Sequence, residues 1–149
     1  MKIKNGLVKT ENIGMGIVGA FIGSLAGVIL IILLDMVGFV ASLAGFVMGY
    51  ATFYMYEKLA GTISKKGVII CILVMILMTL IGENISWSIA ISKGANIPFK
   101  DVLSNFYEII KLDSSIKKDY LISLVMVYLF NVVGAFGIIR EKIELIKNN

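Results

Sequence analysis

The chain has 149 residues, a hydrophobic fraction of 58% and a mean hydropathy of +0.93, with charged residues held to 16%. Charge gathers between long apolar runs, the pattern of segments that cross hydrocarbon, which argues against an ordinary soluble domain. The net charge of +4 lies on lysines flanking those runs and speaks for orientation and lipid headgroups, not nucleic acid, while the absence of histidine removes the commonest general base and zinc or haem ligand.

Lys2, Lys4 and Lys9 precede the first apolar run, Ile13–Leu34. At about 22 residues it exceeds the 7–15 of a signal-peptide core, so it is expected to be retained as the first transmembrane helix. Gly19, Gly23 and Gly27 recur there at every fourth position, beside a stripe of Gly16, Ala20 and Ser24. Only Asp35 and Met36 separate this run from the second, residues 37–56, so a tight hairpin is predicted. Ala41, Gly45 and Gly49 repeat the small-residue spacing, and such grooves let helix backbones approach closely in lipid. The expected use is packing of the two faces within the hairpin; an oligomer seam and a groove for lipid or substrate are the alternatives. Tyr50, Tyr54 and Tyr56 suit an interfacial belt at the inner end, and Thr52 suits a bond to its own helix.

A polar connection, Glu57–Lys66, leads into the third run, Gly67–Ile91. Cys71, the single cysteine, reads there as a small apolar residue. Glu83 is the only acid inside an apolar run, about 24 Å along the helix from Gly67, near the outer edge of a core of about 30 Å. Asp35 would stand at similar height, so Asp35, Glu83, Asn84, Ser86 and Ser88 compose a candidate polar vestibule for a proton or ion. The alternative is that Glu83 snorkels to water or caps a neighbouring element. Trp87 one turn on fits an interfacial anchor, and Thr79 is expected to bond its own backbone.

The stretch 92–119 is the longest polar segment. Within it Phe99, Val102, Leu103, Phe106 and Ile110 fall at helical spacing over 98–112, with Lys100, Asp101, Ser104, Glu108 and Lys111 mostly elsewhere. This predicts an amphipathic helix, lying in the membrane interface or packed over the bundle's own loops. The fourth run, Tyr120–Ile139, carries Asn131 near its middle, a residue type that glues helices together in lipid. Residues 140–149 are expected to extend that helix into water.

With four spans, nine lysines and arginines fall on the side of both termini and five on the other. The positive-inside rule therefore predicts a multi-pass cell-membrane protein with N- and C-termini cytoplasmic. No nucleophile elbow, H-E-x-x-H or P-loop is present. Gly14–Gly19 fits G-x-G-x-x-G but opens an apolar helix with no preceding strand, so it does not mark a dinucleotide site.

The glycine-rich first run, the short turn and the stretch Phe53–Gly67 resemble uncharacterised small four-helix bacterial integral membrane proteins with a glycine-rich N-terminal hairpin. Tyr56, Glu57, Gly61, Ser64, Lys65, Lys66 and Gly67 carry the likeness, as does the closing Gly134–Ile139; Met55 departs from it, standing where glycine is common. The resemblance implies a shared all-α, four-span fold and no known activity. Three functions follow as expectations: an accessory or regulatory subunit acting through helix–helix contacts, a small oligomeric transporter or channel with an outer acidic vestibule, and, weakened by missing catalytic groups, a lipid-modifying enzyme. No enzyme activity, cofactor or metal is expected. The lipid bilayer is the expected partner, with a homo-oligomer or another membrane protein beside it.

Overall fold

The computed structural model describes residues 2–4, 7–36 and 42–148. A two-stranded antiparallel ribbon, β1 (Lys2–Lys4) and β2 (Leu7–Lys9), precedes six helices, and the rest of the architecture is all-helical. The helices are α1 (Ile13–Met36), α2 (Ser42–Ala60), α3 (Lys65–Ala95), α4 (Phe99–Ser104), α5 (Phe106–Leu112) and α6 (Ser114–Lys147). Within them Ile13–Asp35, Lys65–Ala95 and Ser114–Lys147 are long and apolar enough to cross a membrane. Ala41 and the start of the predicted second run lie outside the described residues.

Several boundaries differ from expectation, each for a local reason. Asp35 and Met36 belong to the last turn of α1 and do not form the turn. α3 runs on to Ala95, where Asn96 adopts a left-handed conformation (φ 54°) and returns its N–H to Ser92, and Pro98 then bars continuation. The amphipathic stretch is two short helices broken at Asn105. α6 begins six residues before its apolar run, because the Asp113 carboxylate accepts from the N–H groups of Ser115 (2.8 Å) and Ile116 (3.3 Å). Hydropathy registers where lipid begins; a cap sets where a helix begins.

α1 lies closely along α2 and also against α3, and α2 packs on α6; α3 and α6 meet more sparsely. The core between them is built from Ile31, Met48, Phe53, Cys71, Met78 and Val127, among others. A Cβ on Gly19 or Gly23 would run into the carbonyl oxygens of Met55 and Ala51, and one on Gly27 into the Met48 side chain. The α1 glycines thus bring two backbones into contact. The α2 glycines do something else: Gly45 and Gly49 face α6, where a Cβ on Gly45 would stand 2.7 Å from Asn131 Oδ1 and one on Gly49 3.1 Å from the Ala135 nitrogen. The two small-residue tracts do not face each other. α2 uses its bulkier side toward α1 and its glycine side toward α6.

The ends are tied on one side of the bundle. Asn12 donates its N–H to the Ala60 carbonyl (3.1 Å), and Glu11 accepts from the Tyr56 hydroxyl (2.9 Å) and the Ser64 N–H (3.1 Å). Tyr56 is therefore fully buried and is not part of an interfacial belt, unlike the exposed, stacked pair Tyr50 and Tyr54. Lys142 near the end of α6 pairs with Glu57 at the end of α2.

Candidate functional site

Several polar side chains of the bundle gather along the sparse seam between α3 and α6. At one end of it Tyr120 donates to Asn84 Oδ1 (2.7 Å), and Asn84 Nδ2 donates to the Tyr107 hydroxyl (2.9 Å). One residue back, Ser123 donates to Glu83 Oε2 (3.0 Å). About one helical turn deeper, Asn131 Nδ2 donates to Thr79 Oγ1 (2.5 Å), and Thr79 donates to Met48 Sδ (3.3 Å). Tyr128 closes the exposed flank by bonding the Ile76 carbonyl (2.8 Å). The spacing is a consequence of helix geometry: Thr79 and Glu83 are four apart on α3, and Tyr120, Ser123 and Asn131 share a face of α6.

Glu83 is fully buried, so it does not snorkel to water. Its Oε2 has the Ser123 bond; its Oε1 has no hydrogen-bond partner of good geometry among the described residues. The Trp87 indole one turn on lies within electrostatic reach of the carboxylate, and so does Asp35. A charge withdrawn from water this far calls for a proton, a counter-ion or further donors. Asn131 Oδ1 is the other buried acceptor without such a partner, and it nestles against the α2 backbone at Gly45, a site that leaves room for no side chain.

The predicted vestibule is thus resolved into separate pairs. Asp35 accepts from Ser86 (2.5 Å) across the α1–α3 contact, while Glu83 turns to Ser123 across the α3–α6 contact. Asn84 joins α3, α5 and α6. Ser88 belongs to none of these, since its hydroxyl returns to the Asn84 carbonyl (2.6 Å). Thr52 bonds its own helix at Met48 (2.7 Å), but Thr79 bridges helices instead of capping its own backbone.

At the Tyr120 end of the seam α4 packs against α3 and α5 against α6. Val102, Phe106 and Ile110 are buried beneath them, while Phe99, Leu103 and Tyr107 are exposed. Phe106 meets Tyr120 edge-on at 5.3 Å, and Tyr120 meets Trp87 edge-on at 6.0 Å. Aromatic edges and faces attract in this arrangement, so Phe106, Tyr120 and Trp87 form a packed cluster and not an open cage.

Sequence reasoning missed Ser123, Tyr120 and Tyr107 as partners of the site, and Glu11 as the tie between the start of α1 and the end of α2. The signal for the first two was present: Tyr120, Ser123 and Asn131 sit three and eight apart, a polar stripe on an otherwise apolar helix. Among the described residues no cluster of His, Cys, Asp and Glu could hold a metal ion.

Fold and site together define an all-helical protein with three helices able to cross a membrane and a carboxylate buried in the seam between two of them. In comparison with known proteins the chain matches no family model, no curated protein and no solved structure.

Proposed function

We propose that this chain is a four-span cell-membrane protein that binds a proton or small monovalent cation at Glu83, as a small transport or permeation protein does. The carrying observation is the burial of Glu83 with one carboxylate oxygen bonded to Ser123 and the other unpartnered. A glutamine there would accept the same serine bond with no charge to desolvate. What the acid adds is the capacity to take up and release a positive charge, which is why intramembrane carboxylates mark ion and proton pathways.

The end-to-end ties support the fourth span. Residues 11–12 are hydrogen-bonded to residues 60 and 64, so a chain that leaves through α1 has come back by the end of α2. At 19 residues α2 is about 28 Å long, close to the hydrocarbon thickness of about 30 Å. Its glycines, tyrosines, Glu57 and Lys58 lower its hydropathy without altering its reach. The Lys142–Glu57 pair supports a C-terminus on that same side, and the lysine balance supports that side being cytoplasmic. α4 and α5, which expose Phe99, Leu103 and Tyr107 beside Lys100, Asp101 and Glu108, suit the outer interface.

Trp87, the only tryptophan, stands one turn from Glu83 and reports on it. In liposomes, its emission should change as pH, Na+ or K+ is varied, and ion flux should accompany the change. Glu83→Gln should abolish both. Identical titrations of the two proteins would overturn the reading. The accessory-subunit reading rests on α6, whose Val125, Leu129, Val132 and Phe136 face outward without protein cover. It becomes the better one if Glu83→Gln leaves flux and fluorescence unchanged.

A further inference from the structure

A buried carboxylate is accommodated by a fixed cation, by oxygens gathered around a metal ion, or by a proton. The seam holds no fixed cation among the described residues. Their ion pairs are Arg140–Glu144 and Lys142–Glu57, and neither involves Glu83. The titratable groups within electrostatic reach of Glu83 are Asp35 from α1 and Tyr120 and Tyr128 from α6. Asp35 is itself an acid and is turned to Ser86. Lys100 and Asp101 of α4, Glu108 and Lys111 of α5 and Lys58 of α2 are exposed, and Glu57 of α2 is held by Lys142.

A dehydrated Na+ or K+ needs several oxygens, which membrane proteins supply from carbonyls freed where the backbone is not helical. The seam has no such break: α3 is continuous from Lys65 to Ala95 and α6 from Ser114 to Lys147. The carbonyls beside Glu83 and Ser123 are therefore engaged along their own helices. Asn84 Oδ1 already accepts from Tyr120, and the Ser88 hydroxyl is returned to the Asn84 carbonyl. Two carboxylate oxygens and the Ser123 hydroxyl do not replace a hydration shell. A proton needs one oxygen, and Oε1 is buried and unpartnered.

We propose that the positive charge Glu83 takes up is a proton, and that the site excludes Na+ and K+. An O–H bond forms at Oε1 on uptake and breaks on release, with no redox partner. This rests on the reading of Glu83 as a site of cation uptake and names the ion.

Trp87 emission of the full chain in liposomes, titrated with pH in Na+, K+ or N-methylglucamine buffer of equal ionic strength, tests it. The wild type should show one transition with the same midpoint in all three, and E83Q should lose it. Proton uptake into the liposomes, read by an entrapped pH dye, should run equally in the three buffers. A site shared with Na+ or K+ would lower the midpoint by about one pH unit for each tenfold rise in that ion. Such a shift, lost in E83Q, would overturn the proposal and leave Glu83 as a cation site. An unchanged transition in E83Q, or none in the wild type with any ion, would overturn the reading of the site and the proposal with it. Glu83→Asp serves if E83Q does not reconstitute: its transition should stay indifferent to Na+ and K+ but move in midpoint, and an unmoved midpoint would assign the transition to another group.

Discussion

Ser123 hydrogen-bonds the Glu83 carboxylate at 3.0 Å, and it reaches Glu83 from a position 40 residues away. Hydrogen bonds between membrane helices average about 0.6 kcal/mol and reach about 1.7, because the alternative states also find partners. Removing this donor from a buried acid should cost toward the upper end, about 1.5 kcal/mol. Ser123→Ala should therefore lower the unfolding midpoint in detergent. In a Glu83→Gln background, where no charge has to be accommodated, the same substitution should cost clearly less, and the two effects should fail to add. Additive losses would mean that Ser123 acts by packing alone. Glu83 itself was legible as the only acid in an apolar run. Its burial was not, since Ser123, which bonds it, comes from a helix whose rotation no local pattern reports.

At the scale of helices, the glycine spacing identified a face but could not say what the face meets. Residues four apart share one side of a helix, which is a property of that helix alone. Partner choice depends on how three helices divide the space around α2, and α2 divides its two sides between α1 and α6. The consequence separates three glycine substitutions that look alike in sequence. Gly→Ala in an open helix position gains up to about 1 kcal/mol of stability by narrowing the unfolded chain's freedom. Gly137 has open space where its Cβ would be, so Gly137→Ala should be neutral or stabilising. At Gly23 the new methyl would meet the Ala51 backbone, which cannot rotate away, so α1 and α2 must part. Gly23→Ala should cost about 1–3 kcal/mol, the range for overpacking. Gly45→Ala should cost a similar amount but act at α6, where it displaces Asn131. Thermal unfolding in detergent orders the three. A Gly137→Ala loss as large as the Gly23→Ala loss would contradict this packing. The same limit explains Tyr56: three tyrosines at one helix end read as a belt, but the acid that draws one of them inward lies 45 residues earlier.

For the whole molecule, the number of crossings follows from which ends are tied together, and this can be measured without knowing what the protein carries. Cys71 is fully buried, so the native chain should be silent to a membrane-impermeant thiol reagent. Single cysteines at Thr10, Thr62 and Ser115 then report the sidedness of the segments before α1, after α2 and before α6. Because Glu11 and Asn12 are bonded to residues 56, 60 and 64, Thr10→Cys and Thr62→Cys must label from the same side. Since α1 is apolar enough to cross, that result requires α2 to cross as well, whatever its hydropathy. One long helix, α3, separates Thr62 from Ser115, apart from the short α4 and α5, which are 6 and 7 residues and too short to span. Those two cysteines must therefore label from opposite sides. The lysine balance adds the direction: in intact cells Ser115→Cys should react from outside, while Thr10→Cys and Thr62→Cys react only once the membrane is opened. Opposite labelling of Thr10→Cys and Thr62→Cys would leave α2 on the surface and remove the fourth span. A full reversal, with only Ser115→Cys protected, would keep the bundle but turn it over, moving α4 and α5 to the cytoplasmic leaflet, and opening the Glu83 seam toward the inside.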